Sequence, residues 1–450
     1  MSRDPAPPVL PVPVLRSLRA ALRTAGAGET DPRTARELLA LCDTVLLRLE
    51  CGDPPRSGPA DADALERLAE DCRGLQGADP GARAAAGSRL RALLEREALR
   101  LEAHEAAVSH AAEVPAAASS PVSLPAVREY LLQRFPASRI ELLHCTEIPG
   151  GRSKVTLMLE LANAGSTSRA PALPRSLVLR CDRPGSAQAT TVCDEFPVLQ
   201  AMYRAGALAP EPLWVESDPR PLGAPFLAMR RMPGSACGDY WNAGSAGPAH
   251  ARALAQALAR IHGVDARSAW PAAAATARES VAALLMRHET RWRALGRPSN
   301  TLECGYAWLR AQLACLTGPS VPVHGDVHFA NVLFEGERIS CLTDWEFAHA
   351  GHAAEDLAFC RGYVESLLPW TEFVAAYAAA GGHEVSDAEL RFFGVWTYLR
   401  NATLGAMALQ RVLAGATTDI RTVAIALHSR ARLEASLART LASALAGDAR

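Results

Sequence analysis

The spacing of apolar positions changes twice along the chain. From about Val14 to Ala112, Leu, Ala and Arg recur at helical spacing, as in RTARELLALCDTVLLRLE and GSRLRALLEREALRLEAHEAAVSHAA, with CGDPPRSGPAD as a breaker. This pattern predicts a small all-helical accessory domain over 1–112. Residues 113–126, EVPAAASSPVSLPA, have the Pro/Ser/Ala composition of a linker. Short β-forming runs follow: RIELLHCTEI, KVTLMLELA, SLVLRCD and PFLAMRRM, set around one helix near CDEFPVLQAMYRAG. A small sheet with a single helix is expected over 127–232. Helical spacing then returns across 233–450, in ARALAQALARIHGV and SVAALLMRHETRWRAL and again in EFVAAYAAAG and RFFGVWTYLRNATLGAMALQRVL. One stretch breaks it. VPVHGDVHFANVLFEGERISCLTDWE, from Val321 to Glu346, reads as short strands around a polar loop.

Composition narrows the classes. A chain of 450 residues, 49% of them hydrophobic, fits two or three globular domains. The formal net charge of −1 supplies no global attraction to nucleic acid or to an anionic membrane surface, so neither is expected as a partner. The N-terminus begins with prolines and then mixes Leu with Arg, unlike a signal peptide, and no apolar run approaches the roughly 18 residues needed to span a bilayer. The 11 cysteines are odd in number, scattered and never in a CxxC pair, which argues against a disulfide framework and a zinc ribbon and for a reducing, cytoplasmic setting.

A sheet with one helix, followed by a helical mass with an inserted polar hairpin, describes a two-lobed α+β enzyme with a cleft. In the hairpin, Asp326 and Asn331 stand five apart after the strand VPVH, and Asp344 follows the strand ISCLT. Phosphoryl transfer from a nucleotide needs such a set. One carboxylate orients and deprotonates the attacking hydroxyl, while an amide oxygen and a second carboxylate hold Mg²⁺ against the phosphates.

HGDVHFANVLF followed by LTDWEFAHAGHAAEDLAF resembles the signature of the aminoglycoside phosphotransferase and choline kinase-like family, which has the protein-kinase-like fold. The resemblance runs from roughly Pro121 to the C-terminus and is nearest the branch found fused or adjacent to acyl-CoA dehydrogenases. It implies Asp326 as catalytic base, Asn331 and Asp344 as metal ligands, His324 as a brace of the loop, and Asp356 as its tie into the C-lobe. PGGRSKVT resembles the family's nucleotide loop, with Gly150 and Gly151 allowing close backbone approach to phosphate and Ser153 donating to it. The family's phosphate-gripping basic residue falls on Arg180, whose rigid fork differs from a lysine. Its partner on the lone helix would be Glu195, or less directly Asp194. FLAMRRMPG resembles the connector between lobes, with backbone from Met229 to Arg231 meeting the adenine edge.

Other polar residues take plainer readings. Arg152 and Lys154 read as solvated loop charges, His328 as a loop-former or substrate contact, and Glu346 as a turn residue or a neighbour of the metal ligands. The implied activity is an ATP- or GTP-dependent, Mg²⁺-requiring kinase for a hydroxyl of a small molecule, with a hydroxyacyl thioester as one acceptor. Two other classes compete: an inactive kinase-like nucleotide-binding module, and a dinuclear metal hydrolase. The last lacks a second His two residues before His324, where Pro322 stands. Residues 1–112 carry no chemical motif, and association, including self-association, or regulation is the role expected of them.

Overall fold

The structure is a computed structural model that describes residues 70–71, 75, 80–108, 122–136, 140–148, 154–162, 173–183, 190–239, 242–296, 299–416 and 420–447. Gly150, Gly151, Arg152 and Ser153, with most of the expected linker and the first 69 residues, lie outside the described residues. The described elements are, in chain order, α1 (Pro80–Val108), α2 (Leu124–Arg134), β1 (Glu141–Ile148), β2 (Lys154–Ala162), β3 (Ser176–Asp182), α3 (Val192–Arg204), β4 (Pro212–Glu216), β5 (Phe226–Arg230), β6 (Ser235–Ala236), α4 (Pro248–His262), α5 (Ala277–Ala294), α6 (Asn300–Gln312), β7 (Val321–Val323), β8 (Val332–Glu335), β9 (Arg338–Leu342), β10 (His349–Gly351), α7 (Ala354–Glu365), α8 (Trp370–Ala379), α9 (Asp387–Leu413) and α10 (Ile420–Gly447). They fall into two compact units: Ser119–Val281 with Cys315–Phe393, and Met1–Ala118 with Ala282–Ala314 and Gly394–Arg450.

The first of these units holds the β structure. Its main sheet is antiparallel in the order β1-β2-β3-β5-β4. Along β2 burial alternates, with Val155, Leu157, Leu159 and Leu161 all inside, as a strand with one face on a core requires. The core on this face takes in Leu177, Leu179, Phe226 and Ala228, and α2 lies on it through Val127, Tyr130 and Leu131. Tyr130 meets Phe226 edge to face at 4.9 Å. α2 itself starts where Ser123 accepts the Ala126 N–H and Pro125 occupies the first turn. The sheet's lone helix, α3, starts at a capping box in which Thr191 and Asp194 bond each other's backbone. Farther on, β6, β8 and β9 form a small sheet, and β7 pairs with β10.

The second unit is helical. On α1, Ala86, Leu90, Leu94, Ala98 and Leu101 are buried at helical spacing, and that face packs on α10, with Leu101 against Ala431 and Ala435. α6 joins them: Trp292 stacks on Tyr306 at 5.2 Å, and the Tyr306 hydroxyl bonds that of Thr403. Among the described residues no helix is long and apolar enough to cross a membrane.

Because Phe226 is fully buried at the junction of α2 with the sheet, Phe226→Ala is expected to destabilise the β-containing unit by about 3–5 kcal/mol. Urea denaturation followed by circular dichroism measures it, and a change below about 1 kcal/mol would contradict this packing.

Candidate active site

The hairpin β8–β9 places the polar residues. Its strands pair Val332 with Leu342, so Asn331 and Thr343 face each other just outside the ladder. The Thr343 N–H donates to the Asn331 carbonyl at 2.8 Å, which brings Asp344 beside Asn331. Asp344 adopts a left-handed backbone (φ 68°, ψ 64°), an unusual conformation for a residue with a Cβ and one that turns the chain sharply out of β9. Gly325 is also left-handed (φ 80°), and a Cβ there would lie 2.8 Å from the Phe347 carbonyl oxygen. The loop therefore closes on the segment after Asp344 only with glycine at this position.

Inside the loop Asn331 is the organiser. Its amide Nδ2 donates to the Asp326 carbonyl at 3.0 Å and to Asp326 Oδ2 at 3.1 Å, and lies 3.2 Å from His328 Nε2. His328 Nε2 is also 3.4 Å from Asp326 Oδ2. With the NH₂ group committed, the amide oxygen is the Asn331 atom left for a cation.

His324 is fully buried. Its Nε2–H donates to the Thr343 carbonyl at 3.0 Å, and its Nδ1 accepts the Asp326 N–H at 3.3 Å. Burial lowers its pKa, and the neighbouring carboxylates of Asp356, Asp326 and Asp344 oppose this without reversing it. Through these two contacts the neutral ring joins the Thr343 carbonyl to the Asp326 N–H. Asp356 is the tie: fully buried, it accepts the His324 N–H through Oδ2 and the Gly325 N–H through Oδ1, each at 2.8 Å. His262 Nε2 adds a third contact at 3.1 Å to Oδ2. Burial alone would raise the Asp356 pKa, but the hydrogen bonds from the His262 ring and the His324 N–H bring it below the ordinary value.

On the β sheet Arg180 is buried, and its guanidinium gathers three carboxylates. Nη2 donates to Asp344 Oδ1 at 2.7 Å and lies 3.8 Å from Glu195 Oε2 and 3.9 Å from Glu346 Oε2. Burial disfavours the charged guanidinium, yet the charges of Asp344, Glu195 and Glu346 outweigh it and raise its pKa. Glu195 moves the other way for a carboxyl: burial raises its pKa, and Arg180 only partly offsets this. The Arg180–Glu195 pairing expected from sequence is present, and the shorter contact is to Asp344. Lys154 corrects a sequence expectation. It is not a solvated loop charge but the first residue of β2, buried, with Nζ donating to Asp182 Oδ1 at 2.6 Å and to the Thr190 carbonyl at 2.7 Å. The pair is possible because β2 and β3 place Lys154 opposite Asp182, whose Oδ1 also accepts the Val192 N–H and so fixes the start of the helix bearing Glu195.

Met229 lies within β5, opposite Val178 and Pro212. The next two N–H groups are engaged, Arg230 with the Glu211 carbonyl and Arg231 with that of Ser176. The structure thus gathers Arg180, Glu195, Asp344 and Glu346, joins Asp326 to Asn331, and keeps Met229 in the ladder.

Arg180 Nε and Glu195 Oε2 are buried without a hydrogen-bond partner, and around Arg180 three carboxylates face one guanidinium, a surplus of negative charge that a divalent cation offsets. One amide oxygen and one carboxylate suit Mg²⁺, which keeps waters and phosphate oxygens as its other ligands. No group of three or more His, Cys, Asp or Glu side chains among the described residues forms a metal-ligand cluster. The residues fit Mg²⁺.

A β-rich lobe carrying a buried base paired to a helix glutamate, followed by an Asp/Asn loop and an acidic turn, defines a kinase-like phosphotransferase fold. The chain belongs to the APH family, described as the phosphotransferase enzyme family, whose model matches residues 144–393. It is similar to acyl-CoA dehydrogenase family member 11 of Gallus gallus, 24% identical over an alignment of 318 residues that covers 63% of this chain and 39% of that relative. The chain thus spans well under half of that relative's length. Among solved structures it is similar in fold to a candidate aminoglycoside phosphotransferase of Ralstonia eutropha, at 18% identity and a TM-score of 0.50 over 72% of this chain and 98% of that one. The macrolide 2'-phosphotransferase MphH of Brachybacterium faecium aligns at 21% identity with a TM-score of 0.45, over 64% and 96%. The family carries small-molecule phosphotransfer as the class of reaction.

The Asp356 clamp is testable by acidification. Its folded pKa lies below the unfolded one, so the unfolded chain takes up the proton first, and the stabilisation is present above the ordinary carboxylate range and lost as pH falls through and below about 4. Asp356→Asn is expected to cost about 3–5 kcal/mol near neutrality, since an amide presents an NH₂ to one of the loop's N–H donors. That cost should shrink as pH falls through and below about 4 in urea titrations across pH. A pH-independent difference would contradict an ionised Asp356.

Proposed function

We propose that this chain transfers the terminal phosphoryl group of ATP or GTP to a hydroxyl of a small molecule. The observation that carries this reading is the joining of Asp326 to Asn331 through one amide, with Asp344 set beside them against Arg180. Asp326 accepts the hydroxyl proton as the oxygen attacks, and Asn331 Nδ2 holds the carboxylate in place. Asn331 and Asp344 would hold Mg²⁺, which when bound neutralises phosphate charge. Arg180 supplies a fixed positive charge that Glu195 orients toward the phosphates. Gly150, Gly151 and Ser153 would meet the phosphates, and since the Arg230 and Arg231 N–H groups are engaged, the backbone from Met229 to Arg231 would meet the base through its carbonyl side. Similarity to a protein named for the acyl-CoA dehydrogenase family supports a hydroxylated acyl chain, such as a hydroxyacyl thioester, as acceptor.

Asp326→Asn is expected to lower turnover by about 10²–10⁴-fold with Mg·ATP affinity kept, read by coupled ADP release over a panel of hydroxyl compounds and by calorimetry. Full turnover would remove Asp326 from the chemistry. Asp344→Ala should weaken nucleotide binding only when Mg²⁺ is present, so equal loss with EDTA would count against a metal role. Arg180→Ala and Glu195→Gln should each cost about tenfold or more in turnover, with the double variant little worse than the poorer single one. Additive losses would separate the pair. ATP binding without transfer to any acceptor would favour the inactive nucleotide-binding module.

A further inference from the structure

His262 closes α4 and is 1% exposed, deep below the hairpin that carries Asp326. Its two nitrogens have fixed tasks. Asp356, fully buried and holding the N–H groups of His324 and Gly325, is an acceptor, so His262 Nε2, 3.1 Å away, carries a proton and donates. Nδ1 lies 2.8 Å from the Tyr377 Oη. With the proton on Nε2, Nδ1 is the acceptor, and the Tyr377 hydroxyl, which accepts the His383 N–H at 3.1 Å, still has its own proton to give it. The tautomer with its proton on Nε2 satisfies every partner, and the flipped one would set two acceptors against each other at Asp356. His383 Nε2 returns to the His262 carbonyl at 3.1 Å, fixing the backbone as well. The Tyr377 ring is lodged against Gly382, where a Cβ would lie 2.3 Å from Cε1. Only the missing side chain lets the ring approach this closely.

From these contacts we infer that His262, its tautomer set by Asp356 and its second nitrogen held by Tyr377, is a positioning residue of phosphotransfer, acting through Asp356 on the backbone that presents Asp326. This rests on the phosphotransfer reading. The chain of contacts is short: Tyr377 to His262, His262 to Asp356, Asp356 to the N–H groups of His324 and Gly325, and His324 Nδ1 to the Asp326 N–H. No step in it touches nucleotide or metal. Removing His262 leaves Asp356 holding the loop with one donor fewer and free to rotate, which blurs the position of Asp326 while the groups assigned to the nucleotide stay in place.

The test is a kinetic and exchange comparison of His262→Ala, His262→Gln and Tyr377→Phe in the full chain. His262→Ala should lower kcat about tenfold or more with the KM for Mg·ATP within about twofold. His262→Gln, whose amide can donate where Nε2 did, should recover most of the loss, and Tyr377→Phe should fall between wild type and His262→Ala. Hydrogen–deuterium exchange of peptides covering residues 321–331 should rise in His262→Ala and return in His262→Gln. An unchanged kcat in His262→Ala, or a loss confined to KM, overturns the proposal, and so does unchanged exchange at 324 and 325. If the wild type transfers no phosphoryl group, the phosphotransfer reading fails, and the exchange arm still decides whether His262 holds the loop.

Discussion

A buried carboxylate that must be given donors organises this site. Asp356 is sealed from water, and an unpaired ionised carboxylate there would cost several kcal/mol. The donors are two consecutive backbone N–H groups, at His324 and Gly325, and the ring of His262. Meeting the carboxylate's demand fixes the loop, and the loop's path forces a left-handed Gly325 against Phe347. Asp326 then emerges next to Asn331 because the backbone has no other course. The charge that stabilises the clamp is carried by Asp356, separate from the carboxylates of Asp326 and Asp344.

A second concentration of charge lies at Arg180. Strand pairing buries the guanidinium, and carboxylates from α3 and from the turn after β9 compensate it. The same contacts join the β sheet to the acidic turn through side chains that a nucleotide and its cation would engage. Lys154 and Asp182 act one register step away, tying β2, β3 and the start of α3. The position of Glu195 is therefore set by its helix start as much as by its own contact.

What was legible in the sequence is what is local. Asp326, Asn331 and Asp344 belong to one hairpin, so their spacing alone reports their proximity. The strand pattern of 127–232 was visible because alternation of Val155, Leu157, Leu159 and Leu161 needs no partner to be recognised. Contacts that close over long separations were not. The Arg180 bond to Asp344 spans 164 residues and the His262 bond to Tyr377 spans 115. His262 ended a helical run with nothing in its neighbours to mark it. Lys154 was misread because its loop-side flank looks solvated, whereas the Asp182 opposite it on β3 draws it inside. Likewise periodicity shows that α1 has an apolar face but not that α10 covers it, a pairing in which Glu102 meets Arg439 across 337 residues.

The proposed reaction transfers a nucleotide's terminal phosphoryl group to a hydroxyl, with Asp326 as the base. Phosphorus NMR of the wild-type chain with Mg·ATP and a panel of hydroxyl compounds, hydroxyacyl thioesters included, tests it most directly. The expected result is a phosphomonoester resonance growing in step with the loss of the γ-phosphate signal and absent with Asp326→Asn. A γ-phosphate that persists, or that appears only as inorganic phosphate with every acceptor, would contradict it.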